Sequence, residues 1–113
     1  MGKINSRDKG ARYERKIAQM LREHGYEAER GCQHAGGVDS PDVKHNLKNI
    51  HIEAKNVEAL NIWKALEQSE RDAGDGETPI VIFRRNRSKD YVALQFDHFM
   101  ELYKAWEKYI ESL

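Results

Sequence analysis

The stretch Ile50-His51-Ile52-Glu53-Ala54-Lys55 decides the fold, because its side chains alternate between the two faces of a strand. One face carries three apolar residues, as expected for a strand that packs against a core. The other face carries His51, Glu53 and Lys55, so a carboxylate and an amine project together. The segment therefore predicts a strand with polar chemistry on one side.

A second carboxylate is predicted to lie opposite this strand. Residues 41–44 and 50–55 have the composition of two strands, and the turn-forming residues 46–49 join them as a hairpin. With the turn centred between residues 47 and 48, Asp42 lies opposite Glu53. Opposed residues in an antiparallel pair have Cβ atoms about 4.5–5.5 Å apart, where two carboxylates repel unless a cation neutralises them.

The ligand types in this pair favour a hard divalent cation. The single cysteine, Cys32, excludes a multi-cysteine zinc site and an internal disulfide, and His34, His45 and His51 match no common zinc-ligand spacing. Mg²⁺ is commonly bound by one or two carboxylates together with water and phosphate oxygens. The pair therefore predicts a phosphoryl-transfer site for Mg²⁺, with Mn²⁺ able to replace it.

The first predicted helix, over residues 6–24, carries a third carboxylate on its apolar stripe. Glu14 shares that stripe with Ile17 and Leu21. Because an unpaired buried carboxylate is costly, we expect Glu14 to reach the metal, a metal-bound water or Lys55.

The remaining pattern predicts one α/β domain over residues 1–113. Its order is helix, strand, hairpin, helix, two strands and helix, which fits a mixed central β-sheet flanked by helices. Apart from the segments above, the predicted elements are a strand at 26–30, a glycine-rich loop at 31–40, a helix at 60–73, and strands at 79–83 and 91–96. The last helix carries the amphipathic stripe Phe99, Leu102, Tyr103, Trp106 and Ile110, which is interpreted as core or dimer surface rather than a base-stacking platform.

Composition moves the question of partners to local charge. Lys plus Arg and Asp plus Glu are 19 each, so net charge gives no argument for nucleic-acid binding. Two basic clusters are candidates for contacting DNA phosphates, although a solvated surface explains them equally well. They are Arg12, Arg15 and Lys16 in the first helix, and Arg84, Arg85 and Arg87 in the turn between the last two strands. No apolar run approaches the roughly 20 residues that span a bilayer, so we expect no membrane contact and a cytoplasmic location.

Pro41-Asp42 followed by Glu53-Ala54-Lys55 resembles the motif of the PD-(D/E)xK nucleases. The residues around this motif make the resemblance more specific than the motif alone. Gly10-Ala11-Arg12-Tyr13-Glu14-Arg15 lies near the start of the first helix, Gly25-Tyr26 follows its end, and Gln68 lies in the next helix. From about Gly10 to Val92 the chain resembles archaeal-type and phage-encoded Holliday-junction resolvases. The resemblance implies a restriction-endonuclease-like core.

The resemblance also implies roles for individual residues. The implied metal ligands are Asp42, Glu53 and the backbone carbonyl of Ala54, with Glu14 assisting. Lys55 would lie near the attacking water, and Gln68 would orient groups of the site. The resolvases of this family act as homodimers that make paired cuts across a four-way DNA junction.

Other functions remain open from the residues alone. The same chemistry would serve a restriction-like or repair nuclease, and a DNA-binding protein with the same fold could have lost catalysis. The loop before Pro41 offers Gln33 and His34, where related resolvases often carry serine and basic residues. Junction selectivity is therefore a separate question from nuclease activity.

Overall fold

The computed structural model describes residues 6–31 and 42–113. The chain runs through α1 (Ser6–Glu23), β1 (Ala28–Arg30), β2 (Val43–His45), β3 (Ile50–Asn56), α2 (Ile62–Asp72), β4 (Thr78–Arg84), β5 (Tyr91–Ala93) and α3 (Phe96–Glu111). This is the predicted order of helices and strands. The loop residues Cys32, Gln33, His34 and Val38, and Pro41 of the motif, lie outside the described residues.

The central sheet is mixed, as predicted. β3 and β4 pair in parallel along their full length, from Ile50 opposite Thr78 to Asn56 opposite Arg84. α2 forms the crossover between them, as parallel neighbours require. β5 then pairs antiparallel with β4 and completes a three-stranded sheet in the order β3-β4-β5.

The core forms where α1 packs on β3. The buried cluster consists of Tyr13, Ile17 and Ala18 from α1, Val43 from β2, Ile52 and Ala54 from β3, and Ile80 from β4. Val81 points to the other face of the sheet and is fully buried, and α2 is the helix that packs on β4. Helices therefore cover both faces, which agrees with the predicted α/β fold.

The predicted hairpin is wrong. Among the described residues, β2 pairs antiparallel with β1, with Arg30 opposite Val43, and it approaches β3 without forming a ladder. The link between the two segments is a side chain instead, because the Ala54 N–H donates to Asp42 Oδ2 over 2.9 Å. β4 lies along one edge of β3 as its parallel partner. At the other edge, among the described residues, the side chain of Asp42 rather than a strand accepts the hydrogen bond from Ala54.

α2 is fixed to the sheet by a buried hydroxyl. Ser69 Oγ donates to the carbonyl of Ile80 over 2.9 Å, and Asn61 caps the start of the helix by accepting from the Lys64 N–H. Ser69 is fully buried within the helix predicted over residues 60–73. Its neighbour Gln68 is only partly buried and reaches the cleft described below.

α3 differs from the other two helices, because it has no buried residue against the described part of the chain. The interpretation of its stripe as core is therefore wrong, and the surface interpretation remains. Within residues 6–31 and 42–113, no helix is long and apolar enough to cross a membrane.

Candidate active site

A cleft of about 530 Å³ opens where the start of α1 meets the end of β3. Ligands of α/β proteins commonly bind outside the carboxyl ends of the strands, and this cleft has that position for β3. The predicted site residues that line it are Glu14, Asp42, Glu53, Ala54, Lys55 and Gln68. The fold thus brings all of them to one place.

Asp42 and Glu53 form the acidic centre of the cleft. Glu53 is 2% exposed, and its carboxyl group is hydrogen-bonded to that of Asp42. The Ala54 N–H donates to Asp42 Oδ2 and so holds the Asp42 side chain beside β3. The carboxylate pair predicted from a hairpin therefore exists, although a side-chain contact creates it.

The pair shares a proton, because its two charges repel. Burial raises the pKa of Asp42 to about 8, and the hydrogen bond and negative charge of Glu53 act in the same direction. Burial also acts to raise the pKa of Glu53, but the interaction with His51, the hydrogen bond with Asp42 and the charge of Lys55 outweigh it, so that pKa is lowered. The proton therefore resides on Asp42, and a cation in this place would displace it.

Two basic side chains, Lys55 and His51, flank the Glu53 carboxylate. Lys55 Nζ lies 3.9 Å from Glu53 Oε2, and its side chain is partly exposed towards the cleft. His51 Nε2 is buried, and it lies 3.6 Å from Glu53 Oε1. Because this distance is too long for a strong hydrogen bond, the contact is electrostatic. The Glu53 carboxylate raises the pKa of His51. Lys55 is thus the flanking base that can reach a bound phosphate.

Glu14 has a partner that the sequence did not predict. Arg30 Nε donates to Glu14 Oε1 over 2.8 Å, and the Glu14 side chain is only 10% exposed. Arg30 is at the end of β1, and pairing of β1 with β2 carries it to the cleft beside Asp42. The sequence offered one signal for such a partner, because a carboxylate on an apolar stripe needs a cation nearby. Arg30 was not identified as that cation, because the predicted hairpin paired β2 with β3 and left β1 without a strand partner near the site.

The basic residues at the rim differ from the predicted ones. Arg7 and Lys9, near the start of α1, line the cleft, and sequence reasoning had not singled them out for DNA contact. They precede the helical stripe on which that reasoning was based.

The predicted basic residues of α1 lie outside the cleft lining. Arg12, Arg15 and Lys16 are exposed, and Lys16 Nζ is 3.7 Å from Asp90 Oδ2. That ion pair ties Lys16 to the start of β5 rather than to the cleft, whereas the guanidinium groups lie on the open surface. DNA contact by these residues stays a prediction.

The basic turn after β4 lies near the mouth of the cleft. Glu58 lines the cleft, contacts Lys9 Nζ at 3.6 Å and accepts from the backbone N–H of Asn86. Arg84 and Arg85 lie on the neighbouring groove, which Glu58 also lines, and Arg87 is exposed at the tip with φ 65°. The turn is thus close enough to extend the basic rim, and DNA contact by its arginines stays a prediction.

The donor atoms of the cleft suit a hard cation. Asp42, Glu53 and Glu14 supply carboxylate oxygens, and the backbone of Ala54 is adjacent. In the described ranges 6–31 and 42–113, no three Asp, Glu, His or Cys residues converge as a ready-made metal cluster. A site with two close carboxylates that leaves further positions to water and phosphate fits Mg²⁺ or Mn²⁺ better than zinc.

Comparison with known proteins agrees with this geometry. Residues 5–113 match the family model described as "Phage putative PDDEXK endonuclease". The fold and the cleft with Asp42, Glu53 and Lys55 are therefore those of a nuclease class. The chain belongs to this phage PDDEXK endonuclease family.

A solved structure shows the same fold. The chain is 24% identical to Hjc of Archaeoglobus fulgidus, a Holliday junction resolvase from an archaeal hyperthermophile, with a TM-score of 0.55 over 76% of this chain and 72% of Hjc. At this identity the likeness concerns the fold. No curated protein sequence matches the chain.

Proposed function

We propose that the protein is a metal-dependent endodeoxyribonuclease that cleaves branched DNA, with four-way junctions as its substrate, and that it acts as a homodimer in the cytoplasm of a bacterial, archaeal or phage-infected cell. The observation that carries the proposal is the pair formed by Asp42 and the buried Glu53 in a cleft that Arg7, Lys9 and Lys55 also line. Membership of the endonuclease family supports phosphodiester hydrolysis.

The residues of the cleft divide the work of hydrolysis. Asp42, Glu53 and the carbonyl of Ala54, with Glu14 assisting, would hold Mg²⁺ or Mn²⁺. When bound, the cation offsets the negative charge that develops on the phosphate in the transition state.

The lysine beside the acidic pair serves the nucleophile. Lys55 Nζ positions a water molecule for in-line attack on phosphorus and relays its proton to solvent as the opposite P–O bond breaks, and the leaving oxygen takes a proton from solvent. Gln68 orients the water or the phosphate from α2. Arg30 holds Glu14 in place and leaves guanidinium N–H groups for a phosphate oxygen.

DNA would lie across the rim of the cleft. Arg7 and Lys9 in the cleft, and Arg84 and Arg85 in the neighbouring groove, offer cations to a phosphate backbone. Phosphate contacts position DNA without reading its sequence. Selectivity for a branch therefore has to come from the placement of two sites relative to each other, for which the resolvase fold of Hjc is the support.

The test is cleavage of a labelled four-way junction beside a linear duplex of matched sequence. With Mg²⁺ or Mn²⁺ we expect paired nicks near the branch point, cleavage of the duplex slower by at least about 10-fold, and no product in EDTA. Equal cutting of the duplex would leave a nuclease with another substrate. No cutting with either metal would refute the enzyme and favour a DNA-binding protein.

A further inference from the structure

The helix α3 presents an apolar surface that nothing in the described chain covers. Every residue from 101 to 113 is exposed. Trp106 is 54% exposed, Leu102 55% and Leu113 84%, although side chains of this kind are normally buried. The undescribed stretches 1–5 and 32–41 contain only Met1, Ile4 and Val38 as larger aliphatic residues, and no aromatic residue, so they offer little to cover it.

The spacing of these side chains is that of a helix that pairs with another helix. The positions alternate in steps of three and four along Phe96, Phe99, Tyr103, Trp106, Ile110 and Leu113. This repeat forms the a and d seam of a coiled coil. The apolar stripes of α1 and α2 pack on the sheet instead, so the described chain has no other helix with a free stripe to offer.

The area of the surface matches that of a stable dimer. The large apolar residues of α3, together with Leu113, are 38–84% exposed. At about 150–250 Å² for each large side chain, they expose roughly 700–1,100 Å² in total. The largest apolar patch of a typical monomer is about 300–600 Å², and a standard interface buries about 800 Å² on each partner.

We propose that α3 pairs antiparallel with α3 of a second copy of this chain. Antiparallel pairing about the middle of the helix places Phe96 opposite Leu113, Phe99 opposite Ile110, and Tyr103 opposite Trp106 of the partner. The helical positions from Phe99 to Ile110 are then matched, with an a position opposite a d position in each layer, and Leu113, just beyond the helix end, meets Phe96. A two-fold axis needs such a self-complementary surface.

The surroundings of the seam support this direction. Trp63, Leu66, Leu94 and Phe96 line a groove of about 490 Å³ at the start of α3. Antiparallel pairing places the partner's α3 end, with its exposed Leu113, against this groove, so the interface continues onto the body of the protein.

The flanks of the seam are compatible with the same pairing. Leu102 meets Tyr109 of the partner on one side, and Met100 meets Glu107 on the other, so no like charges face each other beside the seam.

The consequence for DNA cleavage rests on the proposed function. Two copies joined at α3 form a two-fold dimer in which each body carries one cleft, as paired cuts in two strands require. The pairing itself does not depend on the substrate and is tested without it.

The first experiment measures the mass of the full chain by sedimentation and light scattering at several concentrations. We expect twice the 13.2 kDa of one chain at micromolar concentration. Trp106→Glu should weaken the dimer by at least about 100-fold, because it removes a central aromatic residue from both sides of the seam. Ala105→Glu is the matched control, since it places the same charge on the adjacent exposed residue outside the seam and should leave the dimer unchanged.

Three outcomes overturn the proposal: a wild-type monomer, a dimer that survives Trp106→Glu, or equal loss with Ala105→Glu. Since Trp106 is exposed, circular dichroism should show that both variants keep the fold.

Direction is tested by oxidative cross-linking in a Cys32→Ser background. Phe99→Cys combined with Ile110→Cys should cross-link two chains, whereas Phe99→Cys alone should not. Cross-linking by Phe99→Cys alone would mean parallel pairing and would overturn the proposed direction. A dimer that never cuts a junction would refute the proposed nuclease function and leave the α3 pairing intact. A monomer that cuts would refute the α3 pairing and the homodimer, and would leave the cleavage activity intact.

Discussion

The helices α1 and α3 are both amphipathic, but the structure uses their apolar stripes in different ways. In α1 the stripe is buried on β3, and it carries Glu14 with it into the cleft, where Arg30 meets the carboxylate. In α3 the stripe is exposed along its whole length. Periodicity therefore identifies an apolar face in both helices but does not tell what covers it. In α1 the carboxylate on an otherwise apolar stripe marks the cleft, whereas the apolar residues of α3 leave room for the second chain that we propose.

The largest expected effect lies in the cleft that α1 helps to build. Lys55→Met should lower the rate of DNA cleavage by about 10²–10⁴-fold, because it removes the base beside the nucleophile. Lys44→Met is the matched control, since Lys44 is an exposed lysine of β2 that does not line the cleft. The measurement is single-turnover cleavage with Mg²⁺. Similar rates for both variants would contradict the role of Lys55.

The two stripes should differ in what they contribute to the stability of one chain. Ile17→Ala should lower the free energy of unfolding by about 2–5 kcal/mol, because Ile17 is 1% exposed in the core. Ile110→Ala should cost less than about 1 kcal/mol at a concentration where the chain is monomeric, because Ile110 is exposed. Urea denaturation measures both. Equal losses of unfolding free energy would mean that α3 packs on its own chain, and they would contradict the difference between the two stripes.

The ion pair at the end of the α1 stripe is expected to have a smaller effect. Arg30→Gln leaves Glu14 buried without its cation, whereas the double variant with Glu14→Gln restores a neutral pair. A double-mutant cycle on unfolding should therefore give a coupling energy of about 0.5–3 kcal/mol. Additive effects would show that Arg30 does not hold Glu14.

The smallest effect concerns the pH dependence of stability without metal, because the lowered pKa of Glu53 opposes the raised pKa of Asp42. The pKa of Asp42 in the folded chain is about 8, above its ordinary value of 3.8. Between these values the folded state binds more protons than the unfolded state, so this group lowers the free energy of unfolding as pH rises through the window.

In EDTA the melting temperature of the wild type should therefore fall by a few degrees relative to Asp42→Asn between about pH 4 and 8. Added Mg²⁺ should stabilise the wild type more at pH 8 than at pH 5, because it competes with the proton. Parallel curves for the two proteins in EDTA would contradict the shared proton. Variants of the α3 seam should leave this pH dependence unchanged.

Much of the fold and the site could be predicted from the sequence, because alternation fixes which residues share a face. Glu53 and Lys55 on one side of β3, and Glu14 on the stripe of α1, were placed in this way. Strand partners could not be predicted so well, since alternation is the same whichever strand lies alongside. The assumed hairpin for β2 and β3 therefore failed, although Asp42 reached Glu53 through its hydrogen bond to the Ala54 N–H.

The residues that were missed depend on tertiary contacts. Arg30 reaches the cleft only because β1 pairs with β2, and Arg7 and Lys9 only because the start of α1 lies over the end of β3. In α3 the stripe was predicted, but the nature of its cover was not, because an amphipathic pattern is the same for a core helix and a dimer helix. Its exposure excludes a core helix among the described residues, and pairing with a second chain stays a proposal.

The most direct test of the account compares Asp42→Asn with Asp75→Asn, a matched change at an exposed turn residue outside the cleft. Cleavage and binding of a four-way junction are measured on both variants with Mg²⁺. We expect Asp42→Asn to lose cleavage by at least about 10³-fold and to keep its affinity for DNA, whereas Asp75→Asn should cleave and bind as the wild type does. Undiminished cleavage by Asp42→Asn would contradict the assignment of the Asp42–Glu53 cleft as the active site.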